Sequence, residues 1–126
     1  MTLTGVGIDV IEIRVVERML NELGDRFLQL ALRPSELARL PEPPGRPMFV
    51  SRHLAAKEAA MKALGLGLGP STSWRSFELE ETEHRSRLTW ISTEGRQVTF
   101  HVAISRSADT VIATAWAEED AACATE

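Results

Sequence analysis

The sequence has no run of apolar residues long enough to cross a bilayer. Its N-terminus lacks a basic stretch followed by an apolar core, so no secretory signal is expected. Cysteine is nearly absent. Cys123 stands alone, and one thiol builds no disulfide framework, which points to a reducing, cytoplasmic setting. Positive charge is not in excess: 14 Lys and Arg against 18 Asp and Glu leave a net charge of -4. That balance argues against a general nucleic-acid footprint. Internal repeats and low-complexity tracts are missing. Lysine itself is scarce, with Lys57 and Lys62 set against twelve arginines.

What is present is globular. The chain has 126 residues, 44% aliphatic or aromatic and 25% charged, enough for one ordinary domain and its core. Charge is unevenly placed. Residues 1–66 hold nine basic and eight acidic side chains, and residues 67–126 hold five and ten. The front half can therefore offer a locally basic face to an acidic partner.

Residues 3–10 read as a strand in which Gly5 and Gly7 allow close backbone approach. Val15, Val16, Met19, Leu20 and Leu23 mark one face of a helix over 14–23, with Gly24 as its stop. A second helical piece runs through Phe27, Leu28 and Leu30, and Pro34-Ser35-Glu36 starts a short helix to Leu40. Prolines 41, 43, 44 and 47 suggest a stiff loop. Residues 48–64 form the strongest helix, ended by a glycine loop over 65–70. Strands follow at 77–81, 88–92, 98–105 and 110–118, with Glu94-Gly95 as a hairpin turn. The fold class is α+β: an N-terminal strand and helices packed on an antiparallel sheet. Residues 1–118 make a single domain, and 119–126 are expected to be a disordered tail.

Three places carry chemistry. Asp9 lies in an otherwise apolar strand, where a carboxylate is costly unless it is paired, bound to metal or at a strand end. Glu58 and Lys62 share a helix face, and His53 sits one turn before Lys57. A carboxylate holding a cation beside ammonium groups suits a metal bound to phosphates. With Asp9, Glu58 makes a two-carboxylate site typical of magnesium, which keeps several waters and takes other ligands from substrate phosphates. Ser105-Arg106-Ser107 ends a strand with hydroxyls and a cation, an arrangement fit for phosphate or for plain turn chemistry. The run Gly65-Leu66-Gly67-Leu68-Gly69 lacks the lysine and hydroxyl of a P-loop and follows a helix instead of preceding one.

Together these segments resemble the holo-acyl carrier protein synthases, small 4'-phosphopantetheinyl transferases. The resemblance rests on Gly5-Val6-Gly7-Ile8-Asp9-Val10-Ile11-Glu12-Ile13, on Arg26-Phe27 with Pro34-Ser35-Glu36-Leu37, on Leu54-Ala55-Ala56-Lys57-Glu58-Ala59 through Gly65, and on His101-Val102-Ala103-Ile104-Ser105. It implies transfer of 4'-phosphopantetheine from coenzyme A to a serine of an apo-acyl carrier protein, releasing 3',5'-ADP. It implies Mg2+ held by Asp9 and Glu58, with Lys62 near the bridging phosphates and Glu58 as base. His53, Lys57, Gly65, Ser105, Arg106 and Ser107 would contact coenzyme A. Arg14, Arg18 and Arg26 would face the acidic carrier protein. A homotrimer is implied, with the strand end at Ser105–Ser107 coming from the adjacent chain.

Two positions depart from the family's pattern. His53 stands where arginine is usual, and Arg106 where histidine is usual, as if the two had been exchanged around one coenzyme A phosphate that both approach across the subunit boundary. Two other readings stay open: a catalytically degenerate module that binds carrier protein or coenzyme A, and a small metal-dependent phosphohydrolase. Which pathway's carrier protein is served is left open as well.

Overall fold

The computed structural model describes residues 2–66 and 72–119. The glycine loop from position 67 onward and the tail from position 120 lie outside the described residues. A first strand, β1 (Thr2–Glu12), leads into the helices α1 (Ile13–Leu23), α2 (Asp25–Ala31), α3 (Pro34–Leu37) and α4 (Arg46–Leu64). Strands β2 (Phe77–Glu81), β3 (Ser86–Ile91), β4 (Gln97–Arg106) and β5 (Thr110–Glu119) follow. They form an antiparallel meander, and β1 pairs with β5 to give the sheet order β1-β5-β4-β3-β2. The α+β architecture expected from the sequence is the one observed.

α4 is the centre of the molecule. One side lies on the sheet, and the other packs α1 and α2 through Val16, Phe27, Leu28, Leu32, Val50 and Leu54. A helix covered on two sides must be apolar nearly all round, and the alanine-rich stretch from Ala55 to Ala63 meets that need. Its sheet-facing contacts are small: Ala55, Ala56, Ala59 and Ala60 meet Ala113, Ala115 and Ala117 of β5. Larger side chains fill the far end, among them Phe77, Leu79, Leu88 and Phe100.

Gly5 and Gly7 carry this closeness to its limit. A Cβ on Gly7 would lie 1.8 Å from the Ala59 carbonyl oxygen, and one on Gly5 would lie 2.3 Å from that of Ala63. β1 therefore rests backbone-to-backbone on α4, which fixes the height of everything β1 carries.

Several boundaries moved for identifiable reasons. Pro43–Gly45 forms a 3-10 turn, and α4 begins at Arg46 with Pro47 in its first turn, where the missing N–H costs nothing. α4 ends on Gly65 at φ 72°, a left-handed cap suited to glycine. β3 starts at Ser86, two residues early, because Ser86 and Arg87 pair with Glu81 and Glu80. Gly95 takes φ 84° in the β3–β4 turn, closed by Ser92 N–H on Arg96 O at 2.8 Å. No helix among the described residues is long and apolar enough to cross a membrane.

Candidate active site

Odd positions of β1 face α4, so Asp9 follows Gly5 and Gly7 onto the helix. There its Oδ1 accepts a hydrogen bond from Lys62 Nζ at 2.8 Å. Lys62 Nζ also donates to the Ile8 carbonyl at 3.1 Å. The Asp9 side chain is 14% exposed and that of Lys62 is 55% exposed, so the pair opens to solvent from the lysine side. The hydrogen bond to Asp9, with its negative charge, raises the Lys62 pKa, and the Glu58 carboxylate adds to the effect. Lys62 is thus a cation paired with Asp9 and drawn on by the Glu58 charge.

Glu58 lies one turn before Lys62 on α4. Its Oε1 accepts a hydrogen bond from Trp74 Nε1 at 3.0 Å. Trp74 belongs to the 3-10 turn Trp74–Ser76 that leads into β2. The structure thereby brings Asp9, Glu58 and Lys62 together from β1 and α4, held by donors that sequence reading named only in part. Trp74 was missed because nothing marks a single tryptophan between Ser73 and Arg75 as more than core.

The donor set fits a hard divalent cation. Asp9 and Glu58 supply carboxylate oxygens, and Lys62 already binds an Asp9 carboxylate oxygen and the Ile8 backbone carbonyl. Among the described residues no group of three or more His, Cys, Asp or Glu could hold a metal by itself. A two-carboxylate site suits magnesium, whose remaining ligands come from water and phosphate.

Lys57 and His53, expected at the coenzyme A phosphates, turn inward instead. Lys57 and Glu36 are both 0% exposed. Lys57 Nζ donates to Glu36 Oε1 at 2.7 Å and to the Ala31 carbonyl at 2.8 Å. Glu36 also accepts from Arg33 N–H at 2.7 Å and from Leu79 N–H at 2.8 Å, so one carboxylate joins α3, α4 and β2. Burial, opposed by Glu36, pushes the Lys57 pKa down to about 8. His53 is 3% exposed, with Nε2 3.8 Å from Glu36 Oε2 and Nδ1 2.8 Å from the Phe49 carbonyl. Burial lowers its pKa, against the pull of Glu36. The physical reason is helical geometry: Lys57 and Lys62 are five positions apart, which puts them on different sides of a helix buried on both.

At the other end of the sheet, Ser107 does turn chemistry. Its Oγ lies 3.1 Å from Asp109 Oδ1 and 2.6 Å from Thr110 Oγ1, and accepts from Thr110 N–H at 3.2 Å. Ser105 and Arg106 are exposed at the end of β4, and Arg106 Nε donates to the Ser107 carbonyl at 3.3 Å. Gly65 is exposed at the α4 cap. Arg14 and Arg18 on α1 and Arg26 on α2 are exposed too. An open apolar groove of about 430 Å3 runs beside them, lined by Val15, Met19, Phe27, Leu54 and Trp74 among others.

The model of the 4'-phosphopantetheinyl transferase superfamily matches residues 5–124. A holo-[acyl-carrier-protein] synthase from Vibrio atlanticus is 30% identical over 121 residues, 90% of this chain and 96% of that one. The chain belongs to the holo-acyl carrier protein synthase family. The namesake from Geobacillus kaustophilus is 36% identical over 113 residues, 88% of this chain and 85% of that one. A further namesake from Methylobacterium sp. (strain 4-46) is 42% identical over 77 residues, a match spanning 57% of that relative. The crystal structure of the Bacillus anthracis synthase in complex with CoA (3',5'-ADP) superposes with a TM-score of 0.72 at 27% identity, covering 95% of this chain and 100% of that one. The Helicobacter pylori synthase shares the fold at a TM-score of 0.75 and 24% identity, covering 90% of this chain and 99% of that one.

Proposed function

We propose that the chain transfers 4'-phosphopantetheine from coenzyme A to a serine of an apo-acyl carrier protein, with Mg2+ held by Asp9 and Glu58. The observation that carries this reading is the Asp9–Lys62 ion pair between β1 and α4 at 2.8 Å, with Glu58 one turn before Lys62 and acting on it electrostatically. The serine oxygen attacks the phosphorus that bears pantetheine. The phosphoanhydride bond to the nucleotide breaks, and 3',5'-ADP departs with the electron pair. Glu58 takes the serine proton. Lys62, kept protonated by Asp9, neutralises charge on the leaving phosphate. Bound magnesium would clamp the pyrophosphate and offset its negative charge.

The docking site follows from the groove on α1. Its apolar floor suits an apolar side chain of the carrier protein, and Arg14, Arg18 and Arg26 suit the acidic residues around it. Gly65, Ser105, Arg106 and Ser107 are proposed contacts to coenzyme A, the last three from a neighbouring subunit. A homotrimer is supported by the uncovered face of the sheet. There Val6, Ile8 and Val10 are each more than half exposed, and Ile112 is exposed beside them, a patch apolar enough to favour self-association. A cytoplasmic location suits a chain with a single cysteine.

The test is the intact mass of an apo-acyl carrier protein after incubation with this protein, coenzyme A and Mg2+. A gain of one phosphopantetheine supports transfer, and Glu58→Gln should abolish it. Release of free phosphopantetheine without a carrier protein would indicate a hydrolase. No gain across several carrier types, with coenzyme A still bound, would favour a binding module.

A further inference from the structure

Asp9 and Glu58 are held by different kinds of donor. Asp9 is held by a cation, Lys62. The only hydrogen-bond donor to the Glu58 side chain among the described residues is neutral: the indole N–H of Trp74 at 3.0 Å. Trp74 is itself well anchored. Its ring meets Phe27 edge-on, with centroids 6.3 Å apart and planes at 86°. It packs against the sheet-side core and the α1–α2 core alike. Its turn is closed by Ser76 N–H on Ser73 O at 3.0 Å and by Ser73 N–H on Ser76 Oγ at 3.2 Å. A glutamate on a helix has three torsions to explore, and this bond selects one orientation without adding a charge that would compete for a cation. The same ring lines the apolar groove beside α1.

We propose that Trp74 is a positioning residue for Glu58. Its N–H fixes one carboxylate oxygen, so that the other faces the reacting groups. The proposal rests on the transferase reading above, which gives Glu58 its role.

Trp74→Phe keeps a ring against Phe27 and in the groove, and removes the N–H. Losing a hydrogen bond to a charged group should lower kcat roughly tenfold, while KM for the carrier protein stays within about twofold. Mn2+ serves as a probe of the site by isothermal titration. Its dissociation constant should rise roughly three- to tenfold, and the same substitution in a Glu58→Gln background should change it no further. A second measurement leaves Trp74 in place: its 15N-labelled indole resonance should move in Glu58→Ala.

Wild-type kcat and Mn2+ affinity in Trp74→Phe would overturn the proposal. A change confined to KM for the carrier would do the same, since it makes Trp74 only a groove wall. An indole resonance indifferent to Glu58→Ala would also refute it. If the wild-type protein binds no Mn2+ and modifies no carrier, the transferase reading falls and takes this proposal with it. An active wild type matched by Trp74→Phe sinks this proposal alone.

Discussion

Gly7→Ala asks whether the site is set by backbone contact between β1 and α4. The added methyl would sit 1.8 Å from the Ala59 carbonyl oxygen and 2.7 Å from the Ala63 amide nitrogen. Both are helix backbone atoms, so no rotamer change relieves the clash. The strand must lift by about 1 Å, because the packed interior has no slack to absorb the methyl. Overpacking of this kind costs about 1–3 kcal/mol, and a clash with backbone belongs at the upper end. For a domain of this size, about 3 kcal/mol lowers the melting temperature by roughly 10 °C. Asp9 sits two residues further along the same face, so the lift also separates it from Lys62. A misplacement of about 1 Å can cost on the order of a hundredfold in rate. The assay is thermal unfolding by circular dichroism, followed by carrier modification measured on protein that remains folded. A glycine in an unconstrained strand would give the opposite sign, since alanine there gains roughly 0.5–1 kcal/mol. A melting temperature that holds or rises would refute the contact reasoning.

Other outcomes follow from the buried network and the open sheet face. Lys57→Met leaves the Glu36 carboxylate buried without its ion partner and should cost about 3–5 kcal/mol in chemical denaturation. Lys57→Met with Glu36→Gln should recover much of that loss, and strict additivity would argue against the pair. His53, facing Glu36, Lys57 and Glu81, has its folded pKa below its ordinary 6.5 mainly through burial. The unfolded chain therefore binds the proton first as pH falls, so stability present above about pH 6.5 is lost on acidification through the folded pKa. His53→Gln should flatten the fall in unfolding free energy between pH 7 and pH 5. Ile8→Lys should reduce self-association in sedimentation velocity with little change in carrier binding by the groove.

The elements were legible where a pattern had one cause. Alternation marked β2, β4 and β5 because one face of the sheet is buried, and Val16, Met19 and Leu20 marked α1 because they pack on one side, while Val15 and Leu23 stay exposed. α4 was legible as a helix from its composition, yet the roles of its polar residues were not. A helix covered on two sides offers no periodic solvent face, so His53 and Lys57 looked as available as Glu58 and Lys62. Their partner Glu36 lies in α3, and no local spacing connects it to α4. Asp9 stood out because a lone carboxylate in an apolar strand demands a partner. Trp74 did not, because its value lies in one indole proton directed at a residue sixteen positions away.

The first strand of the chain pairs with the last. β1 has its ladder on β5 alone, so the strand bearing Asp9 has no partner strand until roughly a hundred later residues have emerged from the ribosome. Closing so long a loop is slow relative to forming the local helices. A nascent chain can therefore assemble α1 to α4 and seat β1 on α4 early, and still lack the ladder on β5. Competence arrives late and all at once, with the docking of the final hairpin.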